Sequence, residues 1–511
     1  MVEKYSWWNE KQKKLADEAK QFADENIPRG EEITWTKKFP SDLIKKIGKR
    51  GWYGAIIPKE FGGIDAGVTG CCIIAEELAR ICSALTDAYA VTMFGGTEQL
   101  IAFGSNEQKK RWLPKVAKGE LLGAVCITEP NVGSDAAGIE TTATREGDEY
   151  IVNGKKRFIS NAGPAGIYLV YANTSDRSED KAKYKHLSAL IIEKGTPGFS
   201  VERINELSGW LGFPNGYLDF DDVRVPAKNR LANEGDGWKI LMDGLNFERV
   251  VYSAQILGPT REALRYAVSH AQRRIQFDRP TIDFQVNQFK IADMIARLKT
   301  ARLLVYHAAH LMDMNEEAIL EATNAKLYAS EAFEELVSDV VQVMGGDGWT
   351  KFYPVESMSR DAKVNTIAAG TSEVMRIVLY RQGLRAMREE LKMPLRRVHE
   401  KLGVPISTVN PKVTKEISEK AILEILAEDY RANPGIYMSR EDMKGWLAKS
   451  VSEDQLDKVL TSLEAKGLVK LYKDRRGAIV LAKATYKGLK KAKPLEHYKW
   501  FPDWVDKELL F

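Results

Sequence analysis

Apolar positions recur at helical spacing through the first part of the chain, predicting helices over 12–25, 40–50, 67–81 and 84–103. Phe61-Gly62-Gly63 interrupts them with a loop whose paired glycines free the backbone. From Gly123 the period changes. Residues 124–128, 149–154, 167–171, 187–192 and 216–220 are short β-rich runs with polar turns between them. Helical spacing returns from Trp238 to about Met387. A stretch without clear period follows, punctuated by Pro394, Pro405 and Pro411. Beyond it the pattern predicts a helix around Ile417, Ala421, Ile425 and Leu426, a second capped by Ser439, and a third from Ser452 to Ala465. A hairpin then joins 467–472 to 478–481. These changes predict an α+β chain with a helical domain (1–120), a β domain (121–235), a helical bundle (236–390), a linker (391–412) and an extension (413–511).

Composition narrows the class. At 511 residues the chain is long enough for several cores, and its 44% apolar and 29% charged content is that of a globular protein. No apolar run approaches the ~20 residues needed to span a bilayer, and residues 1–20 read as amphipathic helix rather than as a targeting peptide. Cys71, Cys72, Cys82 and Cys126 are too few for a disulfide framework and fit a reduced cytoplasm. The six histidines lack ligand spacing, so no metal site is expected. Residues 391–511 hold 24 Lys and Arg against 17 Asp and Glu, so the net charge of +4 comes entirely from the C-terminal quarter. The order of helices and hairpin there resembles a winged helix.

Five segments carry candidate chemistry. Ile127-Thr128-Glu129-Pro130-Asn131-Val132-Gly133-Ser134-Asp135 joins a strand end to a proline-glycine turn. On its own it reads equally well as an ordinary β-turn. Lys156 to Gly163, Arg274 to Phe277 followed by Gln285, Gln342 to Gly346, and Arg360 to Val374 follow in order. Together they resemble the signatures of acyl-CoA dehydrogenases. That resemblance implies the family fold: an N-terminal helical domain, a middle β domain and a C-terminal four-helix bundle. It also implies FAD, an acyl-CoA substrate, an electron-transferring flavoprotein or similar acceptor, and a homotetramer built from two dimers.

Carried over residue by residue, the resemblance gives flavin contacts to Val125, Ile127, Thr128, Gly133, Ser134, Phe158, Ile159, Ser160, Thr371 and Glu373. Backbone donors of this kind stabilise the charge that builds on a reduced flavin. Phe158 and Ser160 stand where the family usually has Trp and Thr, which keeps an aromatic wall and a hydroxyl. Arg274, Gln276, Phe277, Phe284 and Gln285, with Gln342, Val343, Gly345 and Gly346, match segments that reach a neighbouring subunit's cofactor. A lone Gly-Gly after a helix is more often a C-cap. Ser134, Asn246, Arg249, Ala369 and Gly370 correspond to the substrate side.

The chain departs from the usual pattern at the base. Most of the family has glutamate just before Gly-Thr, whereas here it is Ala369. A minority branch, including isovaleryl- and long-chain-type enzymes, carries the base on an earlier helix, at the place of Glu248 in Leu245-Asn246-Phe247-Glu248-Arg249. The implied reaction is anti removal of the α-proton by Glu248 with hydride passing from Cβ to flavin N5. The Ala369 backbone N–H survives as a donor to the thioester oxygen. Elsewhere on a helix, Glu248 would read as an acid paired with a neighbouring cation.

Flavin monooxygenases and nitroalkane oxidases share the fold, but the retained Glu248 argues against the first and the missing acid at Ala369 against the second. A damage-response branch with an extra C-terminal domain binds DNA, and Arg475, Arg476, Lys487, Lys490 and Lys491 offer a basic wing. Glu453, Asp454, Asp457 and Glu464 on the helix that would enter the groove oppose that reading, so a docking or oligomer-contact module is favoured over DNA. Glutaryl-type relatives bind a distal carboxylate through an arginine whose place corresponds to Thr86 here, which argues against dicarboxylic substrates.

Overall fold

The structure is a computed structural model that describes residues 4–391, 417–432, 436–448 and 450–494. The prolines Pro394, Pro405 and Pro411 and almost all of the expected linker lie outside the described residues. The chain forms two compact units, 1–385 and 386–511.

The first unit begins with six helices: α1 (Glu10–Thr36), α2 (Ser41–Lys49), α3 (Gly67–Ala79), α4 (Ser83–Thr92), α5 (Glu98–Phe103) and α6 (Asn106–Ala117). Asn9 and Gln12 close a capping box on α1, as Ser105 and Gln108 do on α6. Helix α3 is buried on every side from Thr69 to Ala79 and packs against α1 and α8. Its N-terminal donors are met from far along the chain, with Val68 N and Thr69 N donating to the Asp313 carboxylate at 2.6 and 3.2 Å.

One predicted helix divides. The continuous element expected over 84–103 breaks at Gly95 (φ −94°, ψ 41°) and Gly96 (φ 126°, ψ −28°). A Cβ on Gly95 would sit 3.1 Å from the Ala124 backbone, so the glycines let the helical layer touch the sheet directly.

The sheet has seven strands: β1 (Gly123–Cys126), β2 (Thr142–Glu146), β3 (Glu149–Ser160), β4 (Ile167–Asn173), β5 (Leu187–Glu193), β6 (Phe199–Ile204) and β7 (Asn215–Pro226). The short helix α7 (Ser178–Ala182) lies between β4 and β5. Their order is β1-β4-β2-β3-β7-β6, with β5 on the other side of β4. β1 runs parallel to β4, while β3 and β7 form the long antiparallel pair. Strands β2 and β6 escape the sequence pattern because little of either is buried: Ala143 alone in β2, and no residue in β6.

Five helices complete the unit: α8 (Gly237–Arg273), α9 (Gln285–Asp313), α10 (Ile319–Met344), α11 (Val355–Asn365) and α12 (Ser372–Ala386). A hairpin of β8 (Ile275–Gln276) and β9 (Arg279–Pro280) joins α8 to α9. Helix α8 is buried without interruption from Arg249 to Thr260, because α3, α4, α9 and α10 all pack on it. That explains its lack of a clear amphipathic period.

In the second unit, helices Glu419–Ala432, Arg440–Gly445 and Glu453–Ala465 pack with a three-stranded sheet of Met438–Ser439, Ile479–Ala484 and Val469–Lys473. Ser439 and Ser452 cap their helices as the sequence predicts. A closing helix, Tyr486–Ala492, was not expected. It carries Lys487, Lys490 and Lys491, so of the proposed basic wing only Arg475 and Arg476 lie at the hairpin turn.

Candidate active site

Glu248 lies on α8, half-buried, one residue before Arg249, which is 7% exposed. Arg249 turns back to Asn246, with Nη1 donating to Oδ1 at 3.2 Å. Burial pushes the Glu248 carboxyl up to about 7, although the charges of Arg249 and Lys326 pull the other way. Lys326, on α10, is fully buried, and its Nζ donates to the Gly370 carbonyl at 2.6 Å. Its own value falls to about 8, first through burial and then through Arg249, against the pull of Glu248, Glu331 and Glu373. One buried ammonium thus links the Glu248 carboxylate to the turn that carries Ala369.

That turn is unusual in its backbone. Ala369 (φ 55°) and Gly370 (φ 90°) both occupy the left-handed region, which a non-glycine residue adopts at a cost of ~1 kcal/mol or more. The turn is held by Ser372 N donating to the Thr366 carbonyl at 2.9 Å and by Val374 N donating to Thr371 Oγ1 at 3.2 Å. Among the described residues the Ala369 N–H meets no acceptor. Glu373 lies in the first turn of α12 and is exposed.

The strand-end segments form a second wall. Glu129 N and the Val132 carbonyl pair at 2.9 Å across the turn that presents Gly133 and the exposed Ser134. The Thr128 carbonyl accepts from Arg157 N at 2.7 Å, bringing Val125, Ile127 and Thr128 against β3. There the register shifts between Lys156 and Ile159, and Phe158 (φ 58°) is thrown outward, 48% exposed. The Arg157 guanidinium lies 4.3 Å from the Phe158 ring centroid. Asn215 holds the Phe158 carbonyl at 2.9 Å and reaches Ser160 Oγ at 3.5 Å.

Two residues not picked out from the sequence fix this wall. Lys156 and Glu129 form a fully buried pair at 2.7 Å. Lys156 Nζ also donates to the Ile127 and Tyr171 carbonyls, and Glu129 accepts from Glu140 N and Thr141 N. The Glu129 carboxyl is lowered despite its burial, because Lys156 and these donors outweigh desolvation. A Lys and a Glu 27 positions apart show no periodicity, so only their neighbours in the motifs hinted at them. The phenol of Tyr171 is pushed up by burial and then by Glu98, Glu248 and Asp243, which brings this wall alongside α8. Glu98 is a second buried carboxyl at about 7, raised by burial and Asp243, but it lacks the link to the Ala369 turn.

The remaining candidates gather elsewhere. Arg274, Gln276 and Phe277 lie in the β8–β9 hairpin, with Phe277 87% exposed, and Phe284 and Gln285 open α9. Gln342 and Val343 end α10 before Gly345 (φ 61°) and Gly346, and His270 Nε2 meets Asp347 Oδ2 at 2.8 Å, tying that loop to the end of α8. Between Glu248 and Arg274 lies ~39 Å of helix at 1.5 Å per residue. One chain therefore does not bring the two groups together. Gly133, Gly163, Gly345 and Gly346 have nothing within 4 Å of where a Cβ would stand, leaving their backbones open to close approach by a ligand. Open glycine backbone, an outward aromatic ring and unpaired donors fit a flat, anionic cofactor such as FAD.

The chain matches three family models: "Acyl-CoA dehydrogenase, N-terminal domain" over 9–120, "middle domain" over 124–223 and "C-terminal domain" over 235–384. It is 42% identical over 359 residues to an acyl-CoA dehydrogenase of Bacillus subtilis (strain 168), covering 70% of this chain and 94% of that protein. An acryloyl-CoA reductase (NADH) of Anaerotignum propionicum is 39% identical over 374 residues, covering 73% and 94%. Among solved structures, butyryl-CoA dehydrogenase from Megasphaera elsdenii superposes with a TM-score of 0.71 at 34% identity, over 75% of this chain and all of that one. A chain solved in work on the electron transferring flavoprotein of Acidaminococcus fermentans gives 0.72 at 37%, with the same coverage.

Proposed function

The chain belongs to the acyl-CoA dehydrogenase family, and from that premise we propose that Glu248 is the base in its FAD-dependent α,β-dehydrogenation of an acyl-CoA. The observation that carries this assignment is Lys326, which holds the Gly370 carbonyl while acting on the Glu248 carboxylate. A residue so linked to the Ala369 turn takes over the work that Ala369, a methyl, cannot do. FAD, when bound, supplies the acceptor for the hydride leaving Cβ. The Ala369 N–H donates to the thioester oxygen and steadies the charge that develops as Cα loses its proton. Glu248 takes that proton, and a value near neutrality suits a group that must be ionised to receive it yet basic enough to do so. Arg249 and Asn246 hold the substrate side of α8. The product is the enoyl-CoA.

The segments at the far end of α8 and the exposed Phe277 fit the completion of a neighbour's flavin site, so the working form is an assembly, a homotetramer by family precedent. Electrons leave to an electron-transferring flavoprotein or similar acceptor. No described helix is long and apolar enough to cross a membrane. The free, mostly buried cysteines fit a reducing cytoplasm. The second unit, three helices with a hairpin, is read as a winged-helix-like docking or assembly module.

Glu248→Gln tests the assignment. The variant should keep its fold, FAD content and thioester binding while anaerobic flavin reduction slows by at least ~10²-fold, the share that general-base catalysis supplies. Reduction near the wild-type rate would exclude Glu248 as the base.

A further inference from the structure

One and two turns beyond Glu248 on α8 stand Tyr252 and Gln255, at the i+4 and i+7 positions of the same face. Helix α4 packs across this face and brings Asp87 to Gln255, whose Nε2 donates to Asp87 Oδ1 at 2.7 Å. The three side chains are 2%, 3% and 5% exposed for Asp87, Tyr252 and Gln255. Each nonetheless has an atom without a hydrogen-bond partner: Asp87 Oδ2, the Tyr252 hydroxyl and Gln255 Oε1. Three such atoms in one place are rare, because each buried unmet polar atom costs ~1–3 kcal/mol. Gln255 Oε1 only accepts, Asp87 Oδ2 accepts when the carboxyl is ionised, and the hydroxyl can accept as well.

The electrostatic surroundings of the cluster point the same way. Asp87 is raised by burial and by the Asp361 carboxyl, with only Gln255 working against them, so it feels a second acid rather than a cation. Asp361 already accepts from Ser83 Oγ at 2.7 Å and Trp210 N at 2.6 Å. The Tyr252 phenol is raised by burial, then by Asp87 and Glu248, in keeping with its place one turn from Glu248 on α8. Three unmet polar atoms, a buried acid whose ionisation no neighbouring cation supports and a dry setting match one chemical group closely: a primary ammonium, with three N–H donors and a positive charge that would stabilise the Asp87 carboxylate. A carboxylate would meet two acids, and a methyl would leave all three atoms unmet.

We propose that Asp87, Tyr252 and Gln255 form a recognition site for a protonated amine carried on the acyl chain of the substrate. The site rests on the assignment of Glu248 as the base, since that places the substrate's Cα beside α8. From Glu248 to Tyr252 is ~6 Å along the helix, and to Gln255 ~10 Å. The amine therefore belongs several bonds beyond Cβ, clear of the carbons that react.

The test compares CoA esters of one chain length ending in methyl, hydroxyl, carboxylate or ammonium, with the terminal atom ~6–10 Å beyond Cα. Wild-type kcat/KM for flavin reduction should favour the ammonium ester over the methyl ester by at least ~10-fold, with the carboxylate last. Calorimetric Kd values on Glu248→Gln should follow the same order without turnover. Asp87→Leu, checked for FAD content, should reverse the preference, and Asp87→Asn should reduce it while leaving the fold less disturbed. A wild-type preference for the methyl ester overturns the proposal, as does an ammonium preference that survives in both Asp87 variants. If no ester of the series reduces the flavin, the dehydrogenase reading itself fails and this site falls with it.

Discussion

Glu248 works against its own burial, and that has consequences for both rate and stability. Its carboxyl titrates near 7 in the folded chain and near 4.5 in an exposed one. Flavin reduction under kcat/KM conditions should therefore rise with pH through an apparent value of about 7, as the fraction of ionised base grows. Lys326 holds that value down through its charge, so Lys326→Met should move the profile to higher pH. A downward or absent shift in a stopped-flow pH series would contradict the link. Stability runs the opposite way. Between about 4.5 and 7 the folded state binds the proton that the unfolded chain has lost, so this group favours folding below that window and penalises it above. Glu248→Gln should accordingly gain stability over wild type at pH 8, on the order of 1–3 kcal/mol, and little at pH 4, read from denaturant midpoints. Glu248 was visible in the sequence only because Ala369 left a vacancy that a known arrangement fills. The Asp87, Tyr252 and Gln255 cluster gave no such sign, since Asp87 bonds Gln255 across 168 positions of sequence and none of its members belongs to a motif.

The elements show which signals survive folding. The N-caps at Ser439 and Ser452 were readable because cap and partner lie within one turn. The break at Gly95–Gly96 was not, because its cause is the approach of β1 from 28 residues further on. Nor were β2 and β6, whose exposed faces leave no alternation to detect. The strongest link between elements is equally silent in the sequence. Arg80, at the end of α3, bonds Glu77 at 2.9 Å, Glu262 of α8 at 2.6 Å and Asp24 of α1 at 2.7 Å, with Arg261 and Arg302 extending the cluster through Glu76. Removing one partner of a buried ionic group leaves the others uncompensated, so Arg80→Ala should cost ~3–5 kcal/mol. Arg177→Ala, on an exposed loop pair, should change stability by less than ~1 kcal/mol. Equal losses for the two in chemical unfolding would mean that the cluster on α3 does not hold the helices together.

At the scale of the molecule, two features bear on assembly. Phe277 at 87%, Trp349 at 82% and Phe352 at 88% exposure leave large apolar groups on the surface of one chain, near segments that resemble a neighbour's flavin contacts. Flavin occupancy should therefore fall when the assembly dissociates, and Phe277→Asp should yield smaller species that have lost FAD; a dilute monomer that keeps its flavin would contradict this. The second unit bears a different relation to the chemistry. Every segment that carries a candidate residue ends by Glu373, inside the first unit, and the second unit closes its own core around Ile422, Leu426, Leu456, Leu460 and Leu463. Two units with separate cores should tolerate separation. Deleting residues 412–511 is thus expected to leave an assembled, flavin-loaded enzyme whose kcat on a good acyl-CoA lies within a few-fold of wild type. The deletion also removes most of the basic excess, so any change should appear in docking to partners and in its salt dependence. A truncated protein that binds FAD and thioester but no longer reduces its flavin would instead assign the extension a part in an active site.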